Sequence, residues 1–282
     1  MEPNEIMGRS REVIRAQWHE LLRLRSEVLK TSDPEAIHDL RVASRRLRAA
    51  VGLFEPWIPS KSAVLLKKRS RKLTRLLGGL RNIDEAILFF QAHTPTGSGG
   101  GYQICRILSE IRPGELARIE KGLKAFDVRQ LDRKVRKATA GLGKVPITGS
   151  EGGRLSAYFS DSGIRLFQPI HDLLPLATTL EQRVSRHLLR IAIKKWRYFL
   201  EIVAQVLGAD AAPILEQLKE YQTTLGRMND VAVFGGVCSN LDLSRHERRF
   251  VEAALQAEDV LLLQKLAELI EQKPLTYTFP LA

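Results

Sequence analysis

Apolar residues recur at spacings of three and four along almost the whole chain, and long alternating runs of β-branched residues are absent. That period places side chains on one face of an α-helix. It predicts an amphipathic helix over residues 8–30. Ser32, Asp33, Pro34 and Glu35 then supply a helix start: a capping side chain, a proline suited to the first turn, and an acid near the positive end of the dipole. The helix they open runs to about Phe54 and stops before Pro56 and Pro59. Further helices are predicted over about 61–77, 80–92, 102–111 and 114–140. The second half adds helices near 154–174, 178–207, 211–226, 228–240 and 244–272. Glycine-rich residues 97–101 predict a flexible loop, and 141–153 a linker between two halves.

Those halves carry an internal repeat. Ile37-His-Asp-Leu-Arg-Val-Ala-Ser-Arg-Arg-Leu-Arg48 aligns without a gap to Arg186-His-Leu-Leu-Arg-Ile-Ala-Ile-Lys-Lys-Trp-Arg197, at an offset of 149. His38 matches His187, Arg41 matches Arg190, Arg45-Arg46 matches Lys194-Lys195, and Arg48 matches Arg197. Downstream, Leu77-Gly-Gly-Leu-Arg-Asn-Ile83 resembles Leu225-Gly-Arg-Met-Asn-Asp-Val231. Two matched blocks in the same order argue for a duplicated helical unit over about 8–140 and 154–272.

On a helical wheel His38, Arg41, Arg45 and Arg48 fall within roughly 80° of one another, with Arg46 on the flank. Leu40, Ala43, Leu47, Ala50, Val51 and Phe54 occupy a separate apolar arc, so one face is buried and another is basic. His187, Arg190, Lys194 and Arg197, flanked by Lys195, repeat the arrangement, and Trp196 falls on the apolar arc. Like charges stacked at helical spacing repel unless an anion lies among them. No Asp or Glu occurs between Arg41 and Arg48 or between Arg190 and Arg197. Lys68, Arg71, Lys72 and Arg75 form a second basic stripe, whereas the matching stretch of the second half keeps Lys219 and carries Glu216 and Glu220. Arg129, Arg133, Lys134, Arg136 and Lys137 make a third cluster, divided between ligand contact and solvated surface.

Composition sharpens this picture. The chain of 282 residues has 44 Lys+Arg against 32 Asp+Glu, a net charge of +12. Residues 1–150 hold 29 basic and 16 acidic side chains, and the remainder is nearly neutral. A basic excess gathered in one half points to a polyanionic partner. Cys105 and Cys238 are too few for a disulfide framework or to supply a four-ligand zinc site, and read as small hydrophobes in a reducing cytoplasm. The acidic N-terminus lacks the apolar stretch of a secretory signal, and no apolar run reaches the roughly 18 residues of a bilayer span. A cytoplasmic protein with no membrane segment is expected.

The duplicated His-x-Leu-Arg-x-Ala-x-basic-basic-x-Arg helix, each copy followed by a Leu-Gly block with a nearby Asn and Asp, resembles the CHAD domain, the conserved histidine α-helical domain. The resemblance spans about residues 8–272. It implies an all-α fold of two four-helix bundles related by a pseudo-two-fold axis, with a basic central groove or channel, in one domain covering the chain. It also implies binding of inorganic polyphosphate, often at polyphosphate granules, through His38, Arg41, Arg45, Arg46, Arg48, His187, Arg190, Lys194, Lys195 and Arg197. Some members carry a triphosphate-tunnel domain marked by a Glu-x-Glu-x-Lys strand, which this sequence lacks. Glu216 and Glu220 depart from a symmetric channel, so the ligand is expected to favour the first half.

The residue chemistry agrees. Arg grips phosphate oxygens with two parallel donors, and Lys acts as a movable point charge. Each motif histidine either gains charge beside a phosphate or orients the bundle as a neutral hydrogen-bonding group. Asp84 and Asp230 are expected to position basic side chains, and Asn82 and Asn229 to bond locally at helix starts. Catalysis has little support: there is no Walker-type loop, no Gly-x-Ser-x-Gly elbow and no His-Glu-x-x-His, and no carboxylate cluster stands among the basic stripes to hold Mg²⁺. No cofactor or metal is expected. Nucleic acid is the main rival ligand because its electrostatic footprint is the same, but the basic helices carry few aromatics for stacking and few Asn or Gln for base edges. A scaffold that coats granules and recruits other proteins is a third reading, compatible with the first.

Overall fold

A computed structural model describes residues 2–94, 99–142, 149–179 and 181–278. Among these it is helical throughout, without strands: α1 (Pro3–Thr31), α2 (Pro34–Leu53), a 3-10 turn (Glu55–Trp57), α3 (Ser60–Leu76), α4 (Gly78–Ala92), α5 (Gly100–Lys124), α6 (Val128–Ala140), α7 (Gly149–Leu173), α8 (Arg183–Leu207), α9 (Ala212–Cys238) and α10 (Arg245–Gln272). None of these helices is long and apolar enough to cross a membrane.

The helix boundaries follow local chemistry. Asp33 caps α2 by accepting from the Ala36 amide at 2.9 Å, with Pro34 in the first turn. Ser244 and Glu247 form a reciprocal capping box at the start of α10. Gly208 ends α8 at φ +69°, a left-handed conformation that costs glycine nothing.

Several boundaries differ from the sequence expectation, and the helix predicted over 114–140 is broken at 125–127, where Asp127 caps α6 by accepting from the Gln130 amide at 2.9 Å. The predicted break before residue 114 is absent, because α5 runs through Pro113. A proline there leaves the carbonyl of Ser109 without its amide donor. Both residues lie on the exposed side of the helix, where water can supply the missing bond. Likewise α9 is one helix through Gly226, whereas the matching Leu77-Gly78 of the first half interrupts the chain between α3 and α4. The expected 141–153 linker lies partly outside the described residues, and α7 already begins at Gly149. Of the 97–101 loop, Gly99 closes the turn at φ +123° and α5 starts at Gly100; residues 97 and 98 lie outside the description.

α1, α2, α3 and α6 pack around one another, and α7, α8, α9 and α10 pack in succession. α8 crosses onto both α1 and α2, joining the two groups. Their apolar faces share one core, which includes the fully buried Trp18, Leu40, Leu47, Trp196 and Tyr221. The hairpin α4–α5 leaves the first group and packs on α9 and α10, where Phe89, Phe90, Phe234 and Cys238 centre a second, smaller core. Cys105 packs at its edge, and both cysteines are free thiols.

Candidate anion-binding cleft

α2 and α8 meet with their basic faces towards each other. α2 buries Ile37, Leu40, Ala43, Leu47, Ala50 and Val51, and α8 buries Leu189, Ala192, Ile193, Trp196 and Leu200. The residues one turn apart on the other arc are thereby forced into the seam. Arg41 and Arg45 of α2 and Arg190, Lys194 and Tyr198 of α8 line two adjoining cavities in common.

One cavity, about 670 Å³, opens towards α7 and adds Arg48, His187 and Lys195. The other, about 550 Å³, opens towards α9 and adds His38, Arg46 and Arg197. All ten histidine and basic positions of the duplicated helices therefore converge on one cleft, with the two histidines in different arms.

The fourfold cationic row is electrostatically loaded. Burial and then the neighbouring guanidiniums of Arg45, Arg81 and Arg190 push Arg41 down to about 10. Arg190 is pushed down to about 10 by burial, then by Arg45 and Arg81, with Asp230 opposing. Lys194 is pushed down to about 6, first by burial and then by Arg190, Arg45, Arg41 and Arg81. Burial, then Arg45 and Arg71, lowers Arg48 as well. The Nε groups of Arg41 and Arg190 are buried without a hydrogen-bond partner. Buried donors are nearly always satisfied, and two unused ones in a row of cations are what an anion would engage.

Positioning groups surround the row. Arg45 lies over the Tyr198 ring at 5.5 Å from its centre. Arg46 and Arg197 share Glu201, at 3.2 and 2.8 Å, and Arg197 also donates to Gln222 at 2.9 Å. His187 Nδ1 is 3.0 Å from Asn229 Oδ1, a contact that leaves Nε2 for another partner. Asp230 accepts from Arg81 at 3.1 and 3.3 Å, and Asp84 from Arg112 at 2.7 Å, so both aspartates hold guanidiniums as expected. Asn229, expected at a helix start, instead sits within α9 and bonds across to α8.

Lys68, Arg71, Lys72 and Arg75 lie outside the cleft lining, as an exposed stripe on α3 that adjoins it at Arg48. The α6 cluster lies elsewhere, with Arg136 paired to Asp132. Arg81, Asp230, Glu201, Tyr198 and Arg165 of the cleft were not singled out as ligand-binding positions. Arg81 had a signal: it stands inside the repeated Leu-Gly block, 149 residues from Asp230. Glu201 had one too, four residues after Arg197.

The fold and cleft define a class: an all-α protein in which two helices of matched His-then-basic register face each other across a cationic seam. The chain belongs to the CHAD domain family, whose sequence profile matches residues 12–238. A CHAD domain from the plant Ricinus communis is similar in structure, with a TM-score of 0.65 and 20% identity, over 93% of this chain and 87% of that one. PptA from Streptomyces chartreusis is similar with a TM-score of 0.68 and 15% identity, over 96% of this chain and 99% of that one. At these identities the likeness to solved structures shows the fold alone. No curated protein sequence matches this chain.

Proposed function

We propose that the protein binds inorganic polyphosphate in the α2/α8 cleft and performs no chemistry on it. The observation that carries this reading is the row Arg41, Arg45, Arg190 and Lys194, four side chains without a carboxylate partner among the described residues. Burial together with their mutual repulsion lowers Arg41, Arg190 and Lys194, and that repulsion is relieved when a bound anion lies among them. Arg48 and the exposed α3 stripe continue the positive charge beyond these four, which suits a long polymer with one negative charge per phosphate better than a compact anion. The two repeated segments each supply one wall, and the protein is a single CHAD unit on this reading.

A cytoplasmic protein of this chemistry would coat polyphosphate granules and could recruit others to them. Calorimetric titration with long-chain polyphosphate, tripolyphosphate and a structured RNA tests the reading. Binding should tighten with polyphosphate length and exceed RNA at equal phosphate. Equal or tighter binding of RNA would make nucleic acid the ligand, and release of free phosphate on incubation would make the protein an enzyme.

A further inference from the structure

The two arms of the cleft differ in chemistry. The α9 arm is the more polar: His38, Arg46, Arg197, Glu201, Gln222 and Asp230 line it around the shared cations. A bare phosphate chain asks for nothing more. The α7 arm has the same cations and Arg48, but the rest of its lining forms a largely apolar wall. Ala49 and Gly52 of α2, Leu166 of α7 and Ile191 of α8 are all half-buried there, over the nearly buried Leu53 and Ile202.

That wall has no evident use for inorganic polyphosphate, which gains nothing from aliphatic contact. Nor does it suit a nucleobase: its rings are already engaged, Tyr198 by Arg45, Phe199 by Trp196 and Tyr158 by Trp57, and its hydroxyls are committed within the protein. The Thr74 hydroxyl bonds Ser44 and the Ser70 carbonyl, at 2.7 and 3.0 Å. Tyr158 donates to the Leu53 carbonyl at 2.7 Å, and Ser162 accepts from Arg165 at 3.2 Å. What remains is apolar area one side chain away from a phosphate site.

We propose that the α7 arm binds an organic diphosphate with an aliphatic tail, its phosphates on Arg41, Arg45, Arg190 and Lys194 and its tail along Ala49, Gly52, Leu166 and Ile191. The proposal rests on the reading of the cationic row as a phosphate site. It adds a ligand class that competes with inorganic polyphosphate, since both need the same cations. A volume of about 670 Å³ accommodates a short isoprenoid chain with its headgroup.

Gly52 provides the test. It lies within α2, and a Cβ placed there meets no atom within 4 Å, so the side chain of Gly52→Phe starts in open space and extends into the arm. Geranyl diphosphate, ADP and inorganic pyrophosphate are titrated into the full-length protein by calorimetry. Geranyl diphosphate should bind at least tenfold tighter than pyrophosphate, ADP no tighter than pyrophosphate, and long-chain polyphosphate should displace geranyl diphosphate. In Gly52→Phe the geranyl advantage should vanish while pyrophosphate binds as before. Leu166→Gln, on a different helix, should cut the same advantage several-fold. Equal affinity for geranyl diphosphate and pyrophosphate, with polyphosphate binding intact, overturns the tail site alone; ADP matching geranyl diphosphate overturns it in favour of a nucleotide. Failure of every phosphate ligand overturns the cleft reading itself.

Discussion

Arg81 of α4 donates to both carboxylate oxygens of Asp230 of α9, at 3.1 and 3.3 Å, and so ties together the two copies of the Leu-Gly block. The pair is mostly buried, with 18% and 9% of the side chains exposed, and it stands beside Arg190. Removing Asp230 leaves the mostly buried Arg81 with only the more distant Glu85 carboxylate, at 3.5 Å. Asp230→Asn should therefore lower the stability of the free protein by about 2 kcal/mol in urea denaturation. Polyphosphate affinity should move the other way, upwards, because a carboxylate has left the cleft and Arg81 is released to it. A variant that loses both stability and affinity would make Asp230 a scaffold residue without electrostatic influence on the site.

The cationic row gives the converse pattern. Arg41→Ala, Arg45→Ala and Arg48→Ala together remove three charges that repel one another in the free protein, two of them already depressed by burial and their neighbours. Helicity by circular dichroism should be preserved and stability should not fall. Polyphosphate affinity should drop at least a hundredfold, since each lost charge-assisted contact is worth about 1.5–3 kcal/mol. Unchanged affinity in the folded variant would remove α2 from the binding surface.

Lys194 sets a pH dependence whose sign can be worked out. Held at about 6 in the free protein, it is neutral at pH 8, whereas in the unfolded chain it is charged. The folded protein then holds fewer protons than the unfolded chain, so the Lys194 contribution to stability rises with pH from about 6 towards 10. A bound polyanion favours the charged form, so binding at pH 8 takes up a proton and affinity falls as pH rises. Calorimetry in buffers of differing ionisation enthalpy should count an uptake near one proton per occupied row. At pH 8.5, above the ordinary histidine range, Lys194→Met should abolish it. Undiminished uptake in that variant would assign the proton elsewhere.

Much of this arrangement was legible in the sequence, for a physical reason. Helical periodicity and the matched register of His38 to Arg48 and His187 to Arg197 are local properties, fixed by the 100° step of a helix. They dictate which side chains share a face, and therefore that Leu40 and Trp196 are core while Arg41 and Arg190 are not. What a periodic pattern does not encode is the neighbour across the interface. The α4–α5 hairpin packs on α9–α10, in the other half of the chain, because Phe89, Phe90 and Phe234 bury one another. That docking brings Arg81 to Asp230. Pro113 misled for a related reason: its cost depends on whether the orphaned carbonyl meets solvent, a tertiary fact. Glu201, lying outside the repeated segment, drew no notice until the fold placed it between Arg46 and Arg197.

The stripe on α3 decides where a long polymer leaves the cleft. Lys68, Arg71, Lys72 and Arg75 are exposed, and Arg71 and Arg75 act on Arg48 at the end of the cationic row. At the corresponding stretch of α9, Glu216 pairs with Lys219 at 3.2 Å and Glu220 with Lys273 at 2.6 Å, so that side offers a polyanion little net attraction. A chain longer than the row should therefore continue over α3. Replacing all four stripe residues with Ala should weaken long-chain polyphosphate about tenfold at moderate salt and leave tripolyphosphate unchanged. The slope of log affinity against log salt should flatten by up to about 3, because each phosphate contact on a single strand contributes roughly 0.7 to it. Titrations of both ligands at several salt concentrations measure the two effects together. If the long polymer keeps its affinity and its slope, it ends within the cleft, and the α3 charges are solvated surface.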